Sequence, residues 1–267
     1  MSRTVRPILD RTVFAYGSGR SGTTLLAKLL DASPETLYRH EPDKLLKEAA
    51  LPFLPEAPDY EALKPVAAEY LTALTRPASA SVSGKRPRFP KAYRSPLGDW
   101  CQGALLPAYG AAERAGLALA VPDLVRSERF FYLIKSVSSV CRVPLFAAAA
   151  PQARFIHIVR HPGAVLASLL RGIEQQLMSR NVFIEEVAGM ANAKDFDLPL
   201  DRLHELSFEE QATYAWMIQN DKSERELEDD HHYYLLSYED LCLNTKERVR
   251  EMCAFIGIEY VPQMEDF

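Results

Sequence analysis

Three stretches of the chain share one hydrophobic rhythm: a short run of consecutive apolar residues, a break, then apolar positions at helical spacing. In "TVFAY" (Thr12 to Tyr16) β-branched and aromatic residues run unbroken up to Gly17. "TLLAKLLDASP" then repeats leucines three and four apart until Pro34. The second stretch is "ARFIHIVRHPGAVLASLLRG". Phe155 to Val159 predicts a strand, and Pro162 to Arg171 predicts a helix with proline in its first turn and Gly172 after its last. In the third, "YYLLSYEDLCLNTKERVREMCAFIGI", Tyr233 to Leu236 predicts a strand. Val249, Met252, Cys253 and Ile256 then share one helix face closed by Gly257. Strands that are apolar throughout belong to a mainly parallel sheet covered by helices on both faces, a three-layer α/β fold with its ligands near the carboxyl ends of the strands.

Between these units, "SFEEQATYAWMIQNDKSERELEDD" opens with Ser207 and Glu210 at capping-box spacing and predicts a long amphipathic helix with a solvated acidic tail. "RPASASVSGKRPRFPKAYRSPLGD" has no period and predicts an irregular excursion of about 20 residues, a length that is usually functional or disordered. No repeat or linker divides the chain, so residues 1–267 are expected to form a single domain with a variable insertion at about 45–130. Composition adds little. With 48% hydrophobic and 25% charged residues the chain is an ordinary globular one, and its net charge of −5 gives no sign of nucleic-acid binding, so any anion site must be local. The four cysteines show no metal-binding spacing and are expected to be buried free thiols. No apolar segment has signal-peptide or membrane-span length, which makes a cytoplasmic protein the expectation.

The loop after the first strand carries the chemistry. "GSGRSG" keeps the spacing of a triphosphate-binding loop from Gly17 to Gly22. Where such a loop has lysine and then a hydroxyl for Mg²⁺, this one has Thr23 and Thr24, and its cation is Arg20. A lone arginine with Ser21, Thr23, Thr24 and a helix N-terminus is suited to one phosphate group and offers no evident metal chemistry.

"YGSGRSGTTLLAKLLD" resembles the 5′-phosphosulfate loop of sulfotransferases that use 3′-phosphoadenosine 5′-phosphosulfate (PAPS). "FIHIVRHPGAVLASLL" resembles their 3′-phosphate motif, in which an arginine at a strand end and a serine eight residues on grip the 3′-phosphate. Here these are Arg160 and Ser168. "YLLSYEDLCLNTKERVREMCAFIGI" and "YLIKSVSSV" resemble further family segments, so the resemblance spans about residues 10 to 265. It implies a P-loop NTPase-like fold, PAPS as co-substrate with no metal required, and transfer of a sulfuryl group to a hydroxyl or amine. Gly19, Arg20, Ser21, Gly22, Thr23 and Thr24 would hold the 5′ end of the cofactor, and Arg160 and Ser168 its 3′ end. The acceptor could be a small molecule, lipid, glycan or peptide tyrosine, with carbohydrate and tyrosylprotein enzymes the nearest in style.

By the same resemblance, Arg20 also reaches the bridging oxygen, Lys135 stabilises the moving sulfonate, and Glu41 in "YRHEPDKLL" is the base. Pro42 favours an extended Glu41 and suits a helix start, where the carboxylate could equally be a cap whose basicity the dipole lowers. His40 is the other candidate base. His161 stands where many members carry Asp, and Tyr238 and Glu239 are expected to fix the sheet edge. Lys85, Arg86, Arg88, Lys91 and Arg94 form either a solvated basic loop or an acceptor clamp. The sequence ends at "IEYVPQMEDF" without the closing basic segment of many members, so that lid is expected to be missing, cut off or replaced by residues 85–94. Two other readings remain: a P-loop small-molecule kinase, and a catalytically silent nucleotide-binding scaffold.

Overall fold

The computed structural model describes residues 7–117 and 119–265. Five strands, β1 (Thr12–Tyr16), β2 (Thr36–His40), β3 (Phe131–Ser136), β4 (Arg154–Val159) and β5 (Tyr233–Ser237), form one sheet in the order β2-β3-β1-β4-β5, every neighbouring pair parallel. β1 lies in the middle and is buried throughout, so its side chains feed both cores in alternation. Val13 and Ala15 pack with helix α1 (Thr23–Asp31) and the helix Thr245–Ile256. Phe14 and Tyr16 pack on the other face with the helices Tyr60–Leu74, Val143–Ala149 and Phe208–Leu227. Parallel strands turn all their carboxyl ends to one edge, and the loops that follow β1 to β5 meet there.

The periodic elements fall where the sequence puts them. Val249, Met252, Cys253 and Ile256 are buried and Gly257 closes their helix at φ 83°. The Ser207–Glu210 capping box is formed on both sides. Four readings need correction. β2 did not stand out, because "TLYRH" carries a buried arginine: Arg39 is 1% exposed, and its guanidinium is neutralised by Asp123 at 2.6 Å and bonded to the carbonyl groups of Thr75 and Arg76. The helix from Pro162 does not end before Gly172 but runs to Glu174. Gly172 lies inside it, against the Met178 side chain, whose Sδ would be 2.8 Å from an added Cβ.

The irregular excursion of about 20 residues lies between two long helices, Tyr60–Leu74 and Pro96–Arg114, with one short helix, Ala80–Ser83, inside it; its basic residues are the third correction. Within that stretch Lys91 and Tyr93 are buried. Lys91 Nζ lies against the Asp31 carboxylate at 2.9 Å, and Arg94 is bonded to Asp99 and to the Asp123 carbonyl. Two of the five cations of the supposed basic loop are thus internal ties. Lys91 ties the loop to the C-terminal end of α1, and Arg94 ties it to Asp99 and Asp123. Last, the cysteines are all free, but only Cys141 and Cys253 are buried, while Cys242 is exposed. No described helix is long and apolar enough to cross a membrane.

Candidate active site

The glycine loop leaves β1 at Tyr16 and turns into α1 at Thr23. Gly17 is forced by close approach, because a Cβ there would lie 2.2 Å from the carbonyl oxygen of Ile158 on β4. Gly22 is forced twice: its φ of 97° is left-handed, and a Cβ would strike the ring of Tyr238 at 2.2 Å. Neither reason applies to Gly19, which has open space around it. Arg20 is exposed and also left-handed, with φ 71°, a strain that non-glycine residues accept mainly where the surroundings impose it. Ser21 is buried and its hydroxyl donates to the Ser18 carbonyl at 2.7 Å, so the side chain closes the loop upon itself instead of facing outward. Thr23 is buried, Thr24 is exposed, and α1 begins without a side-chain cap, leaving its first N–H groups unused by side chains.

Arg160 and Ser168 come to this loop from the β4 side. Arg20 Nε donates to Ser168 Oγ at 2.9 Å, and Arg160 donates to the carbonyl oxygen of Arg20 at 3.3 Å. The Arg160 guanidinium lies over the Tyr238 ring, 4.4 Å from its centre, and its Nε is buried with no partner. Ser18 Oγ is another buried polar atom with no partner. His161 caps the helix after β4, its Nδ1 accepting from the backbone N–H of Gly163, while its own N–H donates to Glu239. Tyr238 and Glu239 do more than trim an edge. The first fills the space under Gly22 and the face of Arg160, and the second holds the start of the His161 turn.

On the other side of the loop, β2 and β3 bring Glu41 and Lys135 together. His40 and Lys135 are register partners, and the Glu41 N–H continues the ladder by donating to the Lys135 carbonyl at 2.8 Å. Lys135 Nζ donates to one carboxylate oxygen of Glu41 and Lys44 Nζ to the other. Glu41 is not extended as its following proline suggests. It sits at φ 49°, ψ 49°, with Pro42 opening a single 3₁₀ turn. What holds this turn is Asp43, 2% exposed, whose Oδ2 accepts from Ser136 Oγ and Ser139 Oγ at 2.5 and 2.7 Å. β3 pairs with β1, Tyr16 opposite Ser136, so Lys135 and the start of the glycine loop lie on adjacent strands about 4.8 Å apart.

The charges are set by this packing. Burial opposes ionisation of Glu41, but the bonds and charges of Lys135 and Lys44 outweigh it and hold the carboxyl at about 2. Burial also pulls Lys135 below the usual lysine range, an effect that Glu41 resists. His40 is held down to about 4 by burial and by Lys135, and its Nδ1 bonds to the Tyr38 hydroxyl at 2.7 Å. The edge thus presents an ionised carboxylate locked between two ammonium groups, a neutral histidine, and beside them a cluster of guanidinium groups, hydroxyls and a helix start. Such a set can hold two phosphate-like anions and can take a proton once the lysine is drawn away. Lys44 and Asp43 escaped sequence reasoning, and Tyr238 was read only as a sheet-edge residue. Lys44 could have been found, being three residues after Glu41 on a helical turn.

Comparison with known proteins follows the same line. A sequence model described as the sulfotransferase family matches residues 12–262. No curated protein matches the chain significantly. Among solved structures, the sulfotransferase domain from the curacin biosynthetic pathway aligns over 95% of this chain and 76% of its own, at 16% identity and a TM-score of 0.47. The corresponding domain of the Synechococcus PCC 7002 olefin synthase aligns over 95% and 75%, at 19% identity and a TM-score of 0.46. A sulfotransferase from Alicyclobacillus acidocaldarius aligns over 98% and 89%, at 18% identity and a TM-score of 0.42.

Proposed function

The chain belongs to the sulfotransferase family, and from that premise we propose that it moves a sulfuryl group from PAPS to the hydroxyl of an acceptor. One observation carries the choice of donor: the Arg20–Ser168 hydrogen bond, with Arg160 on the Arg20 carbonyl, makes a single site of two clusters that lie 148 residues apart in sequence. The unpartnered Nε of Arg160, the unpartnered Ser18 hydroxyl and the open space at Gly19 fit an anionic nucleotide that supplies the missing partners. In this reading Arg20, Thr23, Thr24 and the start of α1 hold the 5′-phosphate. Arg160 and Ser168 hold the 3′-phosphate, and Tyr238 backs the Arg160 guanidinium. Ser21 and Gly22 shape the loop, and the chain from 1 to 267 acts as one sulfotransferase domain.

The moving group carries less charge than a phosphoryl group, so cationic side chains and amides can stabilise its transfer. Lys135 turns from Glu41 to the sulfonate oxygens. Glu41, losing the more buried of the two lysines that keep its carboxyl at about 2, becomes more basic and takes the acceptor proton. The bond between sulfur and the bridging oxygen breaks, the electron pair stays on the departing phosphate where Arg20 receives it, and sulfur bonds to the acceptor oxygen. His40, neutral and tied to Tyr38, positions the strand end rather than serving as base.

Calorimetry with 3′-phosphoadenosine 5′-phosphate (PAP), without added metal, tests the donor site. PAP is expected to bind more tightly than ADP with Mg²⁺, and Arg160→Ala to weaken it roughly 10- to 100-fold, the loss of a charge-assisted contact. A preference for ADP with Mg²⁺ refutes the proposal. In labelled-sulfate transfer, Glu41→Gln is expected to lower kcat by about a hundredfold or more.

A further inference from the structure

Beside the catalytic edge lies a cavity of about 490 Å³, within the range of about 300–1,000 Å³ usual for small-molecule sites. Ser18 and Gly19 of the loop and Ser138 after β3 line one part of it, so it opens on the place where the transfer would occur. The rest is walled by Val165, Leu166 and Leu169 of one helix, Trp216 of another, and Met178 and Val182 of the segment between them. Phe53 and Phe183, ring centres 5.6 Å apart, close it further. Among the described residues Lys47 is the only charged one in the lining, whose polar side chains beyond Ser18 and Ser138 are Asn181, Thr213 and Gln219.

A sugar buried here would set hydroxyls against the valine, leucine, tryptophan and phenylalanine walls, and each one left without a partner there costs about 1–3 kcal/mol. An acidic tyrosine peptide would meet a single cation. An apolar chain or ring would meet dispersion contacts and leave water behind. We propose, resting on the sulfotransferase reading above, that the acceptor is a small hydrophobic alcohol or phenol, its hydroxyl at the Gly19–Ser138 end and its apolar body between the helices Pro162–Glu174 and Phe208–Leu227. The hydroxyl loses its proton to Glu41 and gains the sulfuryl group, leaving a sulfate monoester and PAP.

The chain has two tryptophans, and Trp100 is 70% exposed on the helix Pro96–Arg114, so the variant Trp100→Phe leaves Trp216 as the sole indole reporter in the cavity. Its fluorescence is followed while linear alcohols from hexanol to dodecanol are titrated in the presence of PAP, with N-acetylglucosamine and a tyrosine-containing acidic peptide as comparisons. The alcohols are expected to shift the emission, each added methylene tightening binding roughly three- to fourfold until the cavity is full. Leu169→Asp is expected to weaken the longest well-bound alcohol at least tenfold, and Ala212→Leu, which fills the cavity without adding charge, serves if that variant does not fold. Equal response to the sugar or the peptide, or no dependence on chain length, overturns the assignment. PAP binding read by calorimetry on the same sample separates the two claims: alcohols without effect on a protein that binds PAP refute the acceptor class alone, whereas failure of PAP binding removes the donor reading as well.

Discussion

The pair formed by Glu41 and Lys135 is where stability and chemistry are most tightly joined, and its strength can be worked out in advance. The Lys135 side chain is 3% exposed and that of Glu41 13%, whereas Lys44, the second partner, is 52% exposed. Deleting one member of a buried pair costs about 3–5 kcal/mol, because the other charge stays in a poor solvent. Glu41→Gln keeps an acceptor oxygen for Lys135 and so belongs at the lower end, about 3 kcal/mol. Lys135→Met leaves Glu41 with Lys44, an exposed contact worth at most about 1 kcal/mol. In the double variant neither buried charge is stranded, so the two costs should not add, and a coupling of about 2 kcal/mol is expected.

Urea unfolding of the four proteins at pH 7 measures that coupling. Costs that add within about 0.5 kcal/mol refute the argument, since they would mean that the carboxylate and ammonium are independent. The pH dependence gives a second check. Unfolded Glu41 returns from about 2 to its ordinary 4.5, so the unfolded chain binds the extra proton. The stabilisation is therefore complete above pH 4.5 and disappears as the pH falls toward 2. The gap between wild type and Glu41→Gln should close over that interval and stay constant above it.

Two further outcomes follow from the same geometry. Gly19→Ala meets nothing within 4 Å and should unfold like wild type, yet bind PAP about tenfold or more weakly, a loss of about 1.4 kcal/mol. Gly17→Ala drives a Cβ into the Ile158 carbonyl and should lose about 1–3 kcal/mol of stability, so wild-type PAP affinity in Gly19→Ala would remove the loop from the ligand. His157, fully buried, stacked on Tyr16 and bonded to Asn220 and the Tyr233 hydroxyl, is held by burial at about 4. The unfolded chain takes up that proton first, so this histidine should lower stability by about 3 kcal/mol as the pH drops from 6.5 to 4, and its own contribution then levels off. His40 adds in the same direction, so thermal denaturation should find part of the slope missing in His157→Gln, and an unchanged slope would contradict the assignment.

The sequence alone determined what depends on neighbours along the chain. β1, the glycine loop and α1 are readable because an unbroken apolar run, a glycine pair and leucines at helical spacing each report local backbone preference. Arg160 and Ser168 are readable because strand and helix fix their separation. The same local logic located the capping box at Ser207 and the closing Gly257. What it could not supply is whatever long-range pairing decides. Glu41 was expected to be extended before Pro42, yet the ladder to Lys135 and the grip of Ser136 and Ser139 on Asp43 impose a left-handed conformation that local preference disfavours. β2 was hidden because a buried Arg39 is tolerable only when a residue 84 positions away neutralises it. Lys91 looked like a solvated cation until the fold set it against Asp31. The meeting of Arg20 with Ser168, and the apolar cavity beside them, arise because parallel strands gather their carboxyl ends at one edge, a consequence of topology that no segment of the chain carries by itself.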